Sequence, residues 1–427
     1  MFFALGVTAV GWAIVLAALY FLAGIVYTKH LGSSFLIKVF VTAYLLRLGL
    51  AVAFALIRSR SGYIASDEAY YFDTALNILD VWRGGSYFNL KLYQIAADSP
   101  NWLYPVYVAV HFLMARSHLL PVISNCFFGA LTCVVLFRAS KNLFGERVAQ
   151  FSAVLAVVFP NLVYYSALDL KDILIAFLLV LVFCQWQEHL RAGRPVAFVS
   201  AFLACMVLIG LRFYVGVLML FIWAVLYLLV GKGRVVRRLI WVAIAGALVL
   251  GIACVVPSLR RTVIDLVHVG PLALISDYSS RQWAHMRESD YFLASWASGL
   301  SLRGYLGTVA HFLLTPNAFS LSGTMRVLIP GALLWYFLIV RAFHGVYMAF
   351  SSWRTGLLLV AVPVCLTILH GFLPWASSVR QQLEIVPFGI VLAGVSFVKS
   401  RSPIVTLLTL SGGVLITGYM AFLTFFR

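Results

Sequence analysis

Apolar runs of roughly 18–23 residues, long enough to cross the hydrocarbon core of a bilayer, recur along the whole 427-residue chain. Helices made from such runs are apolar on every face and have no side to show to water, so a soluble globule is excluded. Barrel strands alternate apolar and polar residues over about ten positions, whereas these runs are continuous, which disfavours a β-barrel. The expected fold class is all-α, a polytopic integral membrane protein. About twelve spans are predicted, near 5–27, 35–57, 120–138, 148–167, 172–190, 196–211, 213–230, 239–256, 326–342, 355–374, 384–398 and 404–425. The run from Phe2 to Val26 lacks the basic leader and the small-residue cleavage site of a signal peptide and is read as a membrane helix.

Short connections set the orientation. Arg138, Lys141 and Arg147, then Arg191 and Arg194, Lys232 to Arg238, Arg341 and Arg354, and Lys399 and Arg401 fall at every second connection, and the positive-inside rule puts them in the cytoplasm. Of the 14 Asp and Glu residues, only Glu146 and Glu188 then lie inside, so function is expected at the outer face. This threading requires 102–116 not to cross, as suits a short apolar stretch broken by Pro105 and His111. One integral membrane domain, 1–427, is expected, with outer segments at 58–119 and 257–325. The second carries Ser276 to Arg281 and Arg287 to Asp290, and Arg303–Pro316 reads as a surface-lying helix.

The formal charge of +17 is scattered among membrane-length segments, which points to anionic headgroups and phosphate-bearing substrates and away from nucleic acid. All six cysteines fall in apolar runs and form no metal-binding or disulfide pattern. His111, His118, His268, His285 and His311, five of the nine histidines, are dispersed and read as packing or hydrogen-bonding groups.

Against this background the acids stand out. Asp67 and Glu68 lie in Ser66-Asp67-Glu68-Ala69-Tyr70-Tyr71, at the start of a segment with Ala69, Phe72, Leu76 and Leu79 at spacings of three and four. That spacing predicts an amphipathic helix on the membrane surface, with Ser66 as N-cap and both acids in its first turn. The acids either cap this helix or do chemistry. A second acidic point, Leu168-Asp169-Leu170-Lys171-Asp172, forms a tight outer turn, where Asp169 and Asp172 share a face if the turn is helical. Arg212 sits at the outer apex between two short spans and needs an anionic partner, either a phosphate or a structural acid such as Asp169. Arg380 stands at another outer helix end, placed to bind phosphate or to snorkel.

The order and sidedness of these residues resemble the GT-C superfamily of polyprenyl-phosphate-sugar-dependent glycosyltransferases, and most of all the bacterial relatives of protein O-mannosyltransferases grouped as family 39. The segment at 66–71 is similar to that family's Asp-Glu-x-x-Tyr signature. Ser124-Asn125, Gly129 to Thr132, Asn142 to Arg147 and Phe159 to Ser166 are similar to its early helices. The resemblance implies a membrane enzyme that moves a sugar from a polyprenyl-phosphate donor to a glycan or lipid acceptor with inversion. It implies Asp67 as base, Glu68 as its assistant or as a ligand for acceptor or metal, and Asp169 or Asp172 as the second acidic site. Arg212, Arg380 and Tyr214 are the candidates for the donor phosphate. A divalent cation, Mg or Mn, would fall to Asp67 and Asp169. Two spans precede the acidic loop where many members have one, and no large soluble domain follows the helices, so a protein acceptor is disfavoured. The expected location is the bacterial inner membrane with the site on the periplasmic side. Two other readings are an oligosaccharide polymerase or ligase that relies on outer arginines, and a lipid-linked glycan flippase.

Overall fold

The computed structural model describes residues 2–61, 63–84, 102–231, 235–255, 302–314, 323–351, 353–371, 379–400 and 402–425. Among them every regular element is helical. Seven helices are long and apolar enough to cross a membrane, or eight if one bent pair counts as a single span. Seven predicted spans match the seven long helices, and the predicted span at 148–167 is the bent pair. The predicted spans at 196–211, 239–256, 355–374 and 384–398 correspond to shorter apolar helices. The motifs Ser276 to Arg281 and Arg287 to Asp290 lie outside the described residues.

The described chain forms two compact units, Met1–His189 with Arg194–Gly216, and Leu190–Gly193 with Val217–Arg427. In the first, α1 (Phe2–His30) and α2 (Ser34–Ser61) pack on α5 (Leu119–Phe144). Helix α3 (Ser66–Gly84) packs on α4 (Leu103–Phe112), whose ten residues are too few to span, as the threading requires. Then follow α6 (Glu146–Val158), α7 (Pro160–Ser166), α8 (Asp172–Ala192), α9 (Pro195–Leu211) and the first turn of α10 (Phe213–Val230), which from Val217 on belongs to the second unit. The second unit continues with α11 (Val235–Val255), α12 (Leu302–Leu314), α13 (Ile329–Ala349), α14 (Trp353–Gly371), α15 (Val379–Gln382), α16 (Val386–Lys399) and α17 (Pro403–Phe425). The helix read at Arg303–Pro316 is α12 as far as Leu314, and Thr315 and Pro316 lie outside the described residues. In this unit α13 approaches α16 so closely that a side chain at Gly345 would strike the Leu392 carbonyl, the small-residue contact typical of membrane helices.

The predicted span at 148–167 is not continuous. Pro160 has no N–H for the Ala156 carbonyl and forces Phe159 into an extended conformation (φ −64°, ψ 114°), so α6 and α7 meet at 54°. Unpaired carbonyls in a membrane are costly, and the missing donors come from Arg47 on α2, a fully buried residue. Its Nη2 donates to the Ala156 carbonyl at 3.2 Å and its Nη1 to the Val157 carbonyl at 3.2 Å. The other contacts are Nε to Ser166 Oγ (3.2 Å), Nη1 to the Ala43 carbonyl (3.1 Å) and Nη2 to Cys133 Sγ (3.6 Å). All five N–H groups of the guanidinium therefore have acceptors. Gly129 on α5 leaves the room this requires, because a Cβ there would collide with Ser166 Oγ and Arg47 Nε.

Arg47→Met leaves the Ala156 and Val157 carbonyls without donors, for an expected loss of about 2–4 kcal/mol and a lower thermal midpoint in detergent. Adding Pro160→Ala restores one backbone donor and should recover part of that loss. An equal midpoint with and without the second change would show that Arg47 does not serve the break.

Candidate functional site

The acids predicted at the outer face come together at one end of the first unit. Helix α3 places Asp67 and Glu68 in its first turn, as the sequence predicts, and the two side chains diverge. Asp67 is partly exposed, whereas Glu68 is fully buried. Glu68 Oε2 accepts from the backbone N–H of Ile64 (3.0 Å) and Ala65 (3.3 Å), a reach back across the helix start that resembles half of a capping box. Its Oε1 pairs with Arg58 at the end of α2 and accepts the backbone N–H of Asp169 at 3.0 Å. Four donors thus offset the cost of burying this carboxylate.

Asp169 is also fully buried. Its Oδ1 accepts from the Tyr104 hydroxyl at 2.9 Å, and its Oδ2 lies 3.0 Å from His118 Nδ1. Burial first, then the nearby Asp169 charge, push the Tyr104 phenol well above its ordinary range, so it remains a donor. Asn125 holds the turn from below, donating from Nδ2 to the carbonyls of Leu168 (2.8 Å) and Leu170 (3.0 Å) and to the Tyr104 hydroxyl (3.1 Å). His118 is clamped by rings, stacked with Phe72 at 4.1 Å and edge-on to Tyr63 at 5.2 Å.

The turn at 167–171 is not helical, so Asp169 and Asp172 do not share a face. Asp172 opens α8 and pairs with Arg212 at 2.8 Å, both buried. Arg212 therefore has a structural acid, but it is Asp172 and not Asp169, whose oxygens are engaged by Tyr104 and His118. Tyr214 follows on the first turn of α10, partly buried. Arg380 belongs to α15 of the second unit. Among the described residues no three His, Cys, Asp or Glu side chains converge as a metal-binding group. Both Asp169 oxygens have protein partners, Tyr104 and His118.

Four participants are absent from the sequence-based candidate list: Arg58, Tyr104, His118 and Asn125. Arg58 carried a signal, because a basic residue just before an acidic pair on the predicted outer face runs against the positive-inside pattern. Tyr104 had none beyond lying on the same predicted side, and His118 was read only as a packing or hydrogen-bonding group, which it is.

Residues 105–259 match the family described as dolichyl-phosphate-mannose-protein mannosyltransferase. The matched stretch takes in Asn125, Asp169, Asp172 and Arg212 and begins after Asp67 and Glu68. The chain resembles a GT-C glycosyltransferase. Among solved structures, the apo oligosaccharyltransferase of Archaeoglobus fulgidus matches with a TM-score of 0.49 and 13% identity, over 91% of this chain and 54% of that one. The oligosaccharyltransferase AglB of the same archaeon, in complex with an inhibitory peptide and a dolichol-phosphate, matches with a TM-score of 0.44 and 13% identity, over 91% and 55%. The GT-C-like chain thus spans about half the length of these structures. No curated protein matches it.

Glu68→Ala removes the acceptor of four donors and leaves Arg58 without its acid, so a loss of about 3–5 kcal/mol is expected. Thermal unfolding of the purified protein checks this. A variant as stable as the parent would show that Glu68 does not hold the site together.

Proposed function

We propose that the chain is a membrane glycosyltransferase that moves a sugar from a polyprenyl-phosphate donor to a hydroxyl of a lipid-linked or cell-envelope glycan acceptor, at the outer headgroup layer of a bacterial inner membrane. One observation carries this reading. Of two adjacent acids, one is buried and bonded to the backbone of the second acidic segment, 101 residues away, while the other stays partly exposed on the same helical turn. Such an arrangement fixes the helical turn that carries Asp67.

In the proposed reaction Asp67 accepts the proton of the acceptor hydroxyl as that oxygen attacks the anomeric carbon. The bond from that carbon to the phosphate oxygen breaks, and its electron pair leaves with the lipid phosphate. A single displacement inverts the anomeric configuration. The proton ends on Asp67 and the new negative charge on the phosphate, where nearby cations stabilise it in a partly dehydrated site. Arg212 is engaged by Asp172, so its contribution is to the local field. The match over 105–259 supports the polyprenyl-phosphate class of donor.

Asp67→Asn is expected to lower transfer by about 10²–10⁴-fold while leaving the protein folded. The assay is transfer from radiolabelled polyprenyl-phosphate sugars to membrane extract by purified protein. Near-normal turnover by a well-folded Asp67→Asn would remove the base from the mechanism.

A further inference from the structure

Arg341 lies about two turns from the end of α13, buried in the layer where that helix packs on α16 and α17. Its Nη2 donates to Thr406 Oγ1 at 2.8 Å and its Nη1 to Ser396 Oγ at 3.5 Å, the limit for such a bond. The Phe397 ring lies 4.4 Å from the guanidinium carbon. Only two of the five N–H groups therefore have acceptors among the described residues, and Nε is buried with none. Arg47, by contrast, has every N–H satisfied. We infer that Arg341 belongs to a binding site for the headgroup phosphate of an anionic phospholipid in the inner leaflet.

The second unit has no acid placed for the role. Among its described residues Glu384 is the one carboxylate, and it pairs with His370 at 2.9 Å, both buried, just before α16 begins. Ser396, which receives Arg341, is near the other end of that helix, about 18 Å away at helical rise. A guanidinium taken out of water without a counter-ion costs several kcal/mol, and two hydroxyls and a ring offset only part of that. A ligand that brings its own negative charge offsets the rest, and phosphate oxygens match the guanidinium fork.

The surroundings suit a phosphate at the membrane surface. Thr406 is exposed and stands on the first turn of α17, where the N–H groups of Ile404 and Val405 have no carbonyl within the helix to bond and the dipole favours an anion. Lys399, exposed on the last turn of α16, adds a second cation. The positive-inside pattern puts this end of the three helices at the cytoplasmic surface, where anionic headgroups gather and basic pockets between helices take them up. Phe343, Ile404 and Leu407, close to Arg341 and Thr406 in sequence, are exposed and apolar. Acyl chains have a surface there that free phosphate would not use, and this decides for a lipid. The site is independent of the proposed sugar transfer.

The experiment titrates full-length protein in detergent with phosphatidylglycerol and follows bound lipid by native mass spectrometry, with phosphatidylcholine and inorganic phosphate as comparators. One tightly held phosphatidylglycerol is expected, retained against an excess of either comparator. Arg341→Met should weaken it about tenfold or more, as the loss of a charge-assisted pair implies. Arg341→Lys keeps the charge, loses the fork and should weaken binding with the fold intact. Lys399→Gln, at an exposed position, should weaken it about threefold. Lys29→Gln removes an equal charge from an exposed position of the first unit and should change nothing. Thermal midpoints add a readout that a purely structural arginine would not give. Phosphatidylglycerol should raise the parent's midpoint and leave that of Arg341→Met unmoved. Without anionic lipid, Arg341→Met should be at least as stable as the parent, because an uncompensated charge has gone. Phosphatidylcholine bound as tightly as phosphatidylglycerol would overturn the anionic headgroup, and displacement by inorganic phosphate would overturn the lipid source. Equal affinity in the parent and both Arg341 variants, or a loss in Lys29→Gln as large as in Lys399→Gln, would remove the site.

Discussion

The end of the first unit that gathers the acids depends on the carboxylate of Glu68. It binds the end of α2 through Arg58, the start of α3 through two backbone N–H groups and the acidic turn through the Asp169 N–H. A buried charge with all its lone pairs engaged is tolerable, while one with a partner removed is not, so these three segments hold one another in register. A neutral side chain would fill the same space without specifying where the turn lies relative to α3. This is how two neighbouring acids come to differ so much: one is fixed by the fold, and the other is placed by it.

Below that layer the same logic operates with the signs reversed. Arg47 is a buried cation with no carboxylate among its hydrogen-bond partners. It is satisfied by three backbone carbonyls, a hydroxyl and a sulfur. The acids of the predicted inner face are held differently. Glu188 pairs with Arg138 at 2.7 Å, and Glu146 pairs with Lys141, both on part-exposed side chains. Glu68 and Arg47 hold backbone groups in place, whereas the pairs near the predicted inner surface balance each other.

Much of this was legible in the residues. Continuous apolar runs identify the helices, and the short stretch broken by Pro105 and His111 marks α4 as one that does not cross. Spacings of three and four mark α3, and the isolation of Arg212 in apolar surroundings announces a buried acid. What sequence could not supply was pairing. Whether Arg212 meets Asp169 or Asp172 depends on the path of a five-residue turn, and that path is set by Asn125, more than 40 residues earlier. Nor does local spacing separate Asp67 from Glu68, because the direction each side chain takes is decided by Arg58 and by a backbone N–H far along the chain. Arg47 could have been singled out, since a charge in mid-span is a functional or structural signal by default, and Pro160 in a predicted span was its counterpart.

The break at Pro160 also bears on how this region unfolds. In an unbroken helix each carbonyl is satisfied within its own segment, and turns can fray singly. Here two carbonyls of α6 and the hydroxyl of Ser166 on α7 are satisfied from α2, so opening any one of the three segments strips partners from the others. Amide exchange across them should therefore proceed as one cooperative block, although α2 lies about a hundred residues earlier in the chain.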